Sequence, residues 1–448
     1  MIISFSVENW RSFREQATLS MVAGREKQHS ERLPVMPGYG MKLLPVATIY
    51  GGNASGKTNL FMAISFARHL IITGTQPEAL IPVEPFRLDP SCAAQPSLFR
   101  FELLIGDKCY DFSFAVTRKR VVEERLVEIL KTTEKMLYDR KGDKIEFSPA
   151  LKDNMFLQFA FQGTRENQLF LTNAVNQKVD TFRPIYDWFK NQLVLIAPDS
   201  RFEPFERFIQ EDHPLYGTMN TMLSLLDTGI EHLGGEDMPF ENIPFPDVLK
   251  AKVQAELLEG TTVRLSAEPM NERYLITRQG GELKAKKLVC FHRDINGKEI
   301  KFDIQIESDG TQRSIDLLPA FLEMARPQNA KVYIIDELDR SLHTLLTRRL
   351  LEGFLAACDK DCRSQLLFTT HDVLLMDQNL LRREEMWVTE RDQEGNSTLF
   401  SFSEYKDVRN DKDVRKSYLQ GRLGGVPRIL MGSLCNTAPH GSSAEETP

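Results

Sequence analysis

Residues Val46–Leu60 read VATIYGGNASGKTNL. The apolar start of this stretch predicts a buried strand, and the apolar residues from Leu60 to Leu70 predict a helix behind it. Between them, two glycines enclose four residues and precede Lys57 and Thr58, which is the pattern of a phosphate-binding P-loop. Glycines let backbone amides turn inward around a polyphosphate, and the helix presents its positive end to the same anion.

The P-loop pattern assigns a role to its last two residues. Lys57 would reach the β- and γ-phosphates of a nucleoside triphosphate, and Thr58 would hold Mg²⁺. The alternative is a glycine-rich turn with an incidental lysine. The apolar strand before the turn and the apolar helix after it favour the P-loop.

The amino-acid composition and length exclude few classes of protein. A chain of 448 residues indicates two or three structural units, or one large domain with an insertion. The net charge of −7 argues against a surface that binds nucleic acid throughout, although it does not exclude a local basic patch. No apolar run approaches the ~20 residues of a membrane span and no secretion signal opens the chain, so we expect a cytoplasmic protein without a membrane partner.

The six cysteines are scattered, apart from Cys358 and Cys362, which stand four residues apart. A zinc site of the usual kind needs a second such pair, and the sequence has none. We therefore expect free thiols.

Residues 1–150 are predicted to form the first part of the nucleotide-binding head. They contain the P-loop and a β-rich lobe, with an edge strand at Ile2–Val7 where apolar and polar residues alternate. Residues 99–130 are predicted to form antiparallel hairpins.

The remaining chain is predicted in three segments. Residues 151–260 form a mostly helical insertion that includes a loop at Gly234–Asp247, rich in glycine, proline and acidic residues. Residues 261–430 return to strands and crossover helices, which are typical of a parallel sheet. Residues 431–448 are polar and small and are expected to be disordered. The fold class is therefore α/β.

A P-loop needs a carboxylate at the end of a neighbouring strand, and VYIIDE at Val332–Glu337 supplies it. Asp336 would lie on the metal side, and Glu337 would polarise the attacking water. The alternative is that both acids only cap the following helix. The distance in sequence from the P-loop indicates that something sizeable is inserted between the two motifs.

Three further polar motifs complete an ordered series. ESDGTQRS at Glu307–Ser314 opens an apolar helix, so its amides and the Ser308 hydroxyl could cradle an anion, although such a turn is usually only an N-cap. LDRSLH follows Glu337 directly, and TTHD places His371 after a strand. A lone histidine there is more often structural, but its place in the series favours phosphate sensing.

The series of P-loop, SDG turn, IIDE, LDRSLH and TTH resembles the ATP-binding-cassette (ABC) ATPases of the SMC and double-strand-break-repair branch. Within that branch, ENWRSF, GGNASGKTN, ESDGTQ, IIDELDRSLH and DVRKSYLQGRLGGVP resemble bacterial AAA-type defence ATPases related to the OLD nucleases. These include the ATPase component of two-gene anti-phage systems such as PARIS. The motifs lie within the first 70 residues and in residues 301–427.

The resemblance implies an ABC-ATPase head in which two copies enclose ATP. It makes Glu337 the general base and His371 the switch residue, with Lys57 as the third catalytic residue. Ser308 and Gly310 would reach the γ-phosphate held by the opposite subunit. The implied metal ligands are Thr58 and Asp336. The implied nucleotide contacts are Arg11, Ser12, Gly51, Asn53, Ala54, Ser55, Gly56, Lys57, Thr58 and Asn59, and the implied subunit contact is Asp339–His343.

Three features depart from the family pattern. Glu307 and Asp309 stand where many transporters have leucine and glycine, which implies weak or slow hydrolysis. The glutamine that such ATPases use on Mg²⁺ cannot be assigned. No Toprim nuclease follows Pro427, so we expect any nuclease or toxin to be a separate polypeptide.

The expected function is that of a defence ATPase with ATP and Mg²⁺ as cofactors. It would oligomerise around ATP, sense infection through a phage trigger protein and control a separately encoded toxic effector, such as a Toprim-like nuclease. The alternative is an SMC-like DNA-processing motor or clamp stimulated by DNA. A third interpretation is a nucleotide-binding scaffold with almost no turnover. A transporter subunit agrees least with the long insertion and the unusual signature.

Overall fold

The computed structural model describes residues 1–36, 38–200, 214–267, 272–405 and 414–425. The strands, in chain order, are β1 (Ile2–Glu8), β2 (Ala17–Ser20), β3 (Val46–Tyr50), β4 (Ser97–Ile105), β5 (Lys108–Val116), β6 (Val121–Ile129), β7 (Glu134–Lys141), β8 (Lys144–Phe147), β9 (Leu193–Ile196), β10 (His232–Pro239), β11 (Thr262–Ala267), β12 (Glu272–Gln279), β13 (Glu282–Arg293), β14 (Glu299–Asp303), β15 (Val332–Ile335), β16 (Gln365–Thr369), β17 (Met386–Arg391) and β18 (Ser397–Ser401). The α-helices are α1 (Lys57–Thr73), α2 (Met155–Gln162), α3 (Phe170–Asn176), α4 (Arg183–Asp187), α5 (Tyr216–Leu225), α6 (Asp247–Glu256), α7 (Asp309–Met324), α8 (Thr344–Ala356) and α9 (Val414–Leu419).

The central sheet has the strand order β18-β17-β3-β16-β15-β9. Every neighbouring pair from β17 to β9 is parallel, and β18 is antiparallel to β17. Strands β3, β15 and β16 are buried along their whole length, which explains why each reads as a continuous run without alternation. Because parallel strands end at one edge, the residues that follow β3, β15 and β16 come together there.

The N-terminal lobe is an antiparallel sheet with the order β2-β1-β4-β5-β6-β7-β8. The predicted hairpins are confirmed, since β4, β5 and β6 pair through short turns. The predicted edge strand at Ile2–Val7 is wrong, because β1 lies between β2 and β4. Alternation of apolar and polar residues indicates that one face of the strand is less buried than the other. It does not indicate whether the strand has a neighbour on both sides.

The core of this lobe packs directly on the helix that follows the P-loop. The rings of Trp10, Phe66 and Phe99 lie 5.0 to 5.4 Å apart, centre to centre, and join the loop after β1 to α1 and β4. Trp10 also donates a hydrogen bond of 3.0 Å from its indole nitrogen to the Asn59 carbonyl. The lobe therefore holds the first turn of α1 in place.

A third sheet follows the order β10-β13-β12-β11, with β14 also paired to β13, and all its pairs are antiparallel. Its apolar side chains pack against α7 in one cluster that includes Leu275, Leu288, Ile304 and Ile315. The inserted sheet, as we call β10–β14, is therefore fixed to the helix that begins at the SDG turn.

The segment 151–260 is predicted to be mostly helical and contains α2 to α6. It also contains two strands, β9 and β10, which pair with strands from later in the chain. Strand β9 pairs with β15 in the central sheet. The loop predicted at Gly234–Asp247 is wrong for its first part, because β10 pairs with β13 over its whole length. Acidic residues of β10 face lysines of β13 and β14, and these charge pairs stabilise a strand whose composition suggests a loop.

The α/β class, with a parallel P-loop sheet and an antiparallel β lobe, is confirmed. The boundaries of the predicted segments stay predictions. The prediction of disorder for residues 431–448 lies outside the described residues. No helix in the described ranges is long and apolar enough to cross a membrane.

Candidate nucleotide-binding site

The P-loop leaves β3 at Tyr50 and enters α1 at Lys57. Gly51 and Gly56 have φ angles of 151° and 120°, which side chains with a Cβ rarely adopt. A Cβ on Gly56 would lie 2.9 Å from the Ser397 Cβ, and one on Gly51 would lie 2.6 Å from the Thr389 carbonyl oxygen. Both glycines are therefore required by backbone conformation and by the close packing of β17 and β18.

The first turn of α1 carries no side-chain cap, so no side chain among the described ranges satisfies the amides at this helix N-terminus. The helix runs for 17 residues, and its positive end points into the P-loop. Asn53, Ala54 and Thr58 are exposed around this end. The arrangement matches what an anionic polyphosphate requires.

Lys57 is 5% exposed, and its ammonium lies inside the loop. Nζ donates to the carbonyl oxygens of Gly51 at 2.8 Å and Gly52 at 3.0 Å. Burial lowers the pKa of Lys57 to about 8, although the negative charges of Asp336 and Glu337 oppose the shift. A phosphate oxygen could take over these hydrogen bonds and favour the charged form.

A network of hydroxyls supports the P-loop from the side of β18. Ser397 Oγ lies 2.8 Å from Ser12 Oγ and donates to the Ser55 carbonyl at 2.7 Å. Asn59 Nδ2 donates to Ser12 Oγ at 2.8 Å, and Ser55 Oγ lies 2.6 Å from Thr389 Oγ1. Ser12 thus lies at the P-loop, as predicted from the ENWRSF motif, whereas Thr389 and Ser397 belong to no motif recognised in the sequence.

A cavity of about 430 Å³ opens beside the P-loop. Arg11 lines the cavity. Its guanidinium donates a hydrogen bond of 2.7 Å to Glu84 Oε1, and its Cζ lies 5.4 Å from the centre of the Trp10 ring. Asn59 and Arg391 contribute further polar groups to its wall. Ala54 of the P-loop also lines the cavity, so its position suits the nucleoside half of a nucleotide.

Asp336 follows β15 and is fully buried. Its Oδ1 accepts a hydrogen bond of 2.6 Å from Thr369 Oγ1, whereas Oδ2 has no hydrogen-bond partner among the described residues. An unpaired buried carboxylate oxygen is costly, and a cation would satisfy it. Oxygen donors such as this carboxylate and the Thr58 hydroxyl are the ligands that Mg²⁺ prefers, so these residues agree with a magnesium site.

Thr369, at the end of β16, orders both acids. Its hydroxyl donates to Asp336 and accepts from the Glu337 amide at 2.8 Å. Glu337 has a left-handed backbone with φ of 51°, a conformation that costs free energy and needs such support. The TTHD motif contains Thr369, but sequence reasoning assigned only His371 from it.

His371 lies between the lysine and the glutamate. Its Nδ1 is 3.5 Å from Lys57 Nζ, and its Nε2 is 4.0 Å from Glu337 Oε1. Its backbone amide donates to Asp339 Oδ2 at 3.3 Å. The structure therefore brings together the three residues predicted to be catalytic, although it does not by itself establish their roles.

The SDG turn lies elsewhere. Ser308 is exposed and caps α7, where its Oγ accepts from the Thr311 amide at 3.2 Å. A Cβ on Gly310 would lie 2.7 Å from the Ser341 carbonyl oxygen, so the turn packs against the LDRSLH segment of the same chain. The described hydrogen bonds of Ser308 remain within its own helix turn and do not reach the P-loop.

Two polar contacts tie α7 and the residues before it to the inserted sheet. Arg273 on β12 donates to both carboxylate oxygens of Asp316, at 2.7 and 3.2 Å, and this pair is almost fully buried. His292 on β13 lies 2.6 Å from Glu307, the residue before Ser308. Glu307 therefore contacts the inserted sheet through His292.

The family model described as "AAA domain, putative AbiEii toxin, Type IV TA system" matches residues 46–377. No curated protein matches the chain. Among solved structures, the SMC head domain from Thermotoga maritima is 13% identical, with a match that covers 89% of this chain and 98% of that chain at a TM-score of 0.37. The SMC head bound to the C-winged helix domain of ScpA is 12% identical, over 89% and 97% of the two chains, at a TM-score of 0.39. Similarity this low carries no conclusion about activity or partners.

Proposed function

Since this chain belongs to the family described as "AAA domain, putative AbiEii toxin, Type IV TA system", we propose that it binds and hydrolyses ATP at the edge of its central sheet. The observation that carries the proposal is the convergence of Lys57, Asp336 and His371 from the ends of three adjacent parallel strands. These residues are far apart in sequence, and the sheet places them around one P-loop.

The chain supplies positioning and charge to the phosphates. Lys57 and the free amides of α1 bind the β- and γ-phosphates, and the cavity beside Arg11 takes the nucleoside. Thr58 and Asp336 would hold Mg²⁺, which when bound supplies charge neutralisation at the phosphate oxygens. The exposed first turn and the unpaired Oδ2 of Asp336 support these assignments.

Glu337 orients and polarises the attacking water. Its carboxylate is half-buried beside His371, and the Thr369 hydroxyl fixes its backbone. His371 senses the γ-phosphate from its place between Lys57 and Glu337. We propose that turnover is slow because Glu307 and Asp309 depart from the signature of the ATPases that the motifs resemble.

A second copy of the chain completes the site. Ser308 and Gly310 lie at an exposed helix N-terminus whose described contacts belong to their own segment and to Ser341. Such a turn can bind the γ-phosphate of ATP held by a facing subunit. ATP then joins the two subunits, and hydrolysis releases them.

We further propose that this cycle controls a separately encoded effector during phage infection, with a nuclease of the Toprim type as the candidate. The family description names a toxin system, and the sequence motifs resemble defence ATPases. The inserted sheet, fixed to α7 by Arg273 and His292, is the part that would pass the nucleotide state to a partner.

Turnover of purified protein tests the enzymatic proposal. We expect Lys57→Ala to lose ATP binding, and Glu337→Gln to retain binding while its rate falls by about 10²- to 10⁴-fold. Unchanged turnover in Glu337→Gln would contradict the assigned role. Strong stimulation of the wild-type rate by duplex DNA, with salt-sensitive binding, would instead favour the DNA clamp. If cells that carry Lys57→Ala were still protected against phage, the proposed defence role would be rejected, and the ATPase proposal would not be affected.

A further inference from the structure

Two cysteines meet in the loop between α8 and β16, outside the nucleotide site. The Sγ atoms of Cys358 and Cys362 are 3.7 Å apart, within hydrogen-bonding distance for thiols. Both are free, as predicted; Cys358 is buried and Cys362 is half-buried. Of the five cysteines that the structure describes, only Cys358 and Cys362 have sulfur atoms within hydrogen-bonding distance of each other.

The two thiols differ in acidity. The hydrogen bond with Cys358 lowers the pKa of Cys362, assisted by Ser364 and Arg363, although burial and Asp359 oppose the shift. The same hydrogen bond and burial raise the pKa of Cys358. Because the thiolate is the nucleophile, Cys362 is the more reactive partner and also the one that solvent reaches.

The separation of the sulfurs can be closed locally. A disulfide requires the two Sγ atoms at about 2.0 Å, so they need to approach by less than the diameter of one atom. Both residues lie in a loop without helix or strand, where side-chain rotation and a small backbone adjustment can supply this movement. Cys358 Sγ would give up its contact of 3.4 Å to the Phe354 carbonyl.

We propose that Cys358 and Cys362 form an oxidisable dithiol that reacts with hydroperoxides and closes to an intramolecular disulfide. With hydrogen peroxide, the Cys362 thiolate attacks one oxygen, the O–O bond breaks, and the hydroxide that leaves takes up one proton and becomes water. Cys358 then attacks the sulfur of the resulting sulfenic acid, the S–O bond breaks, and hydroxide leaves with the Cys358 proton as water. The dithiol loses two electrons and two protons, and hydrogen peroxide is reduced to two waters.

The dithiol and the nucleotide site lie at opposite ends of β16. Cys362 precedes the first residue of the strand, Gln365, whereas Thr369 at the last position contacts Asp336. Five residues of strand span roughly 17 Å. Replacement of either cysteine by serine should therefore leave ATP binding intact, and this binding reports that each variant is folded.

The test treats the whole protein with hydrogen peroxide, quenches the reaction, alkylates the remaining thiols and identifies the modified peptides by mass spectrometry. We expect the peptide with both cysteines to lose two hydrogens and to resist alkylation. Its oxidation should be at least about fivefold faster than that of Cys92, a half-buried thiol that serves as internal control. The peptide with Cys435 is followed separately, so that exchange with that thiol is detected.

Single variants separate the two roles. Cys358→Ser should accumulate a sulfenic acid at Cys362 that dimedone traps, and Cys362→Ser should show no comparable adduct at Cys358. Both variants should bind ATP like the wild type. The proposal is overturned if folded wild-type protein keeps both thiols alkylatable after peroxide, or if the pair oxidises no faster than Cys92. Equal trapping at both positions would overturn the assignment of Cys362 as the first nucleophile.

Discussion

At the residue scale, the site depends on charged groups that the fold buries before a ligand arrives. Lys57 lies among backbone carbonyls, and one carboxylate oxygen of Asp336 has no hydrogen-bond partner within the part of the chain that the structure describes. Such groups cost folding free energy and are found where proteins bind ions or perform catalysis. Their burial explains why the affinity for ATP should depend on pH.

The pH dependence follows from the pKa of Lys57, which is about 8 because burial disfavours its charged form. Below pH 8 the ammonium is present in the free protein; above pH 8 it loses its proton, whereas bound triphosphate favours the charged form. ATP affinity should therefore be constant below pH 8 and fall up to about tenfold per pH unit above it. Titration with a fluorescent ATP analogue from pH 7 to 9.5 measures this, with Lys57→Arg as the control that keeps its charge. Parallel curves for the two proteins would contradict the prediction.

Thr369 offers a second residue-scale prediction. Thr369→Val removes the hydrogen bonds to Asp336 and to the Glu337 amide, so both acids lose their support. The free energy of unfolding should fall by about 1–3 kcal/mol, and turnover should slow. Thr369→Ser keeps the hydroxyl and is the matched control. Urea denaturation and an ATPase assay measure the two effects; a valine variant as stable and active as the serine variant would disprove the role.

At the element scale, α7 is the joint between the SDG turn and the inserted sheet. The Arg273–Asp316 pair is buried, and His292 holds Glu307 immediately before the turn. Apolar residues of β12, β13 and α7 form one cluster around these contacts. The helix and the sheet should therefore move together.

A double-mutant cycle tests this joint. Arg273→Met or Asp316→Leu alone leaves a buried charge without its main partner and should lower the free energy of unfolding by about 3–5 kcal/mol. The double variant should lose less than the sum of the single variants, because neither charge remains. Urea denaturation of the four proteins gives the coupling free energy. Additive losses would show that the two side chains do not act as a pair.

The strands also show how much of the fold could be predicted from the sequence. Strands β3, β15 and β16 and the motifs behind them could be predicted because each is a local run of buried residues followed by a polar turn. Strand β10 could not be predicted, because Gly234, Gly235 and two acidic residues suggest a loop. Its pairing with β13, and the ion pairs of its acids with lysines of β13 and β14, appear only in the folded protein. The partner of β9 also depends on tertiary pairing, which no local pattern contains.

At the scale of the whole molecule, segments that are distant in sequence meet at one edge of the central sheet. The P-loop, Asp336 and His371 meet at one sheet edge, and β17 and β18 support the loop through Thr389 and Ser397. The last two residues belong to no motif, so sequence could not have identified them. Ser308 of the SDG turn is exposed, and its described hydrogen bonds stay within its own helix turn; we propose that it supplies the other half of the site to a facing copy.

The central claim is that each ATP is enclosed by the P-loop of one copy and the SDG turn of another. The most direct test is the ATPase rate of a mixture of Lys57→Ala and Ser308→Arg proteins. Ser224→Arg is the control, because Ser224 in α5 is likewise an exposed serine whose hydroxyl contacts local backbone. It should keep the wild-type rate.

Each of the first two proteins should be inactive alone. Their equimolar mixture should regain about a quarter of the wild-type rate, since random exchange makes half of the dimers mixed and each mixed dimer has one intact site. A mixture that stays as inactive as its components, while Ser224→Arg remains active, would contradict the claim, as would full activity of Ser308→Arg alone.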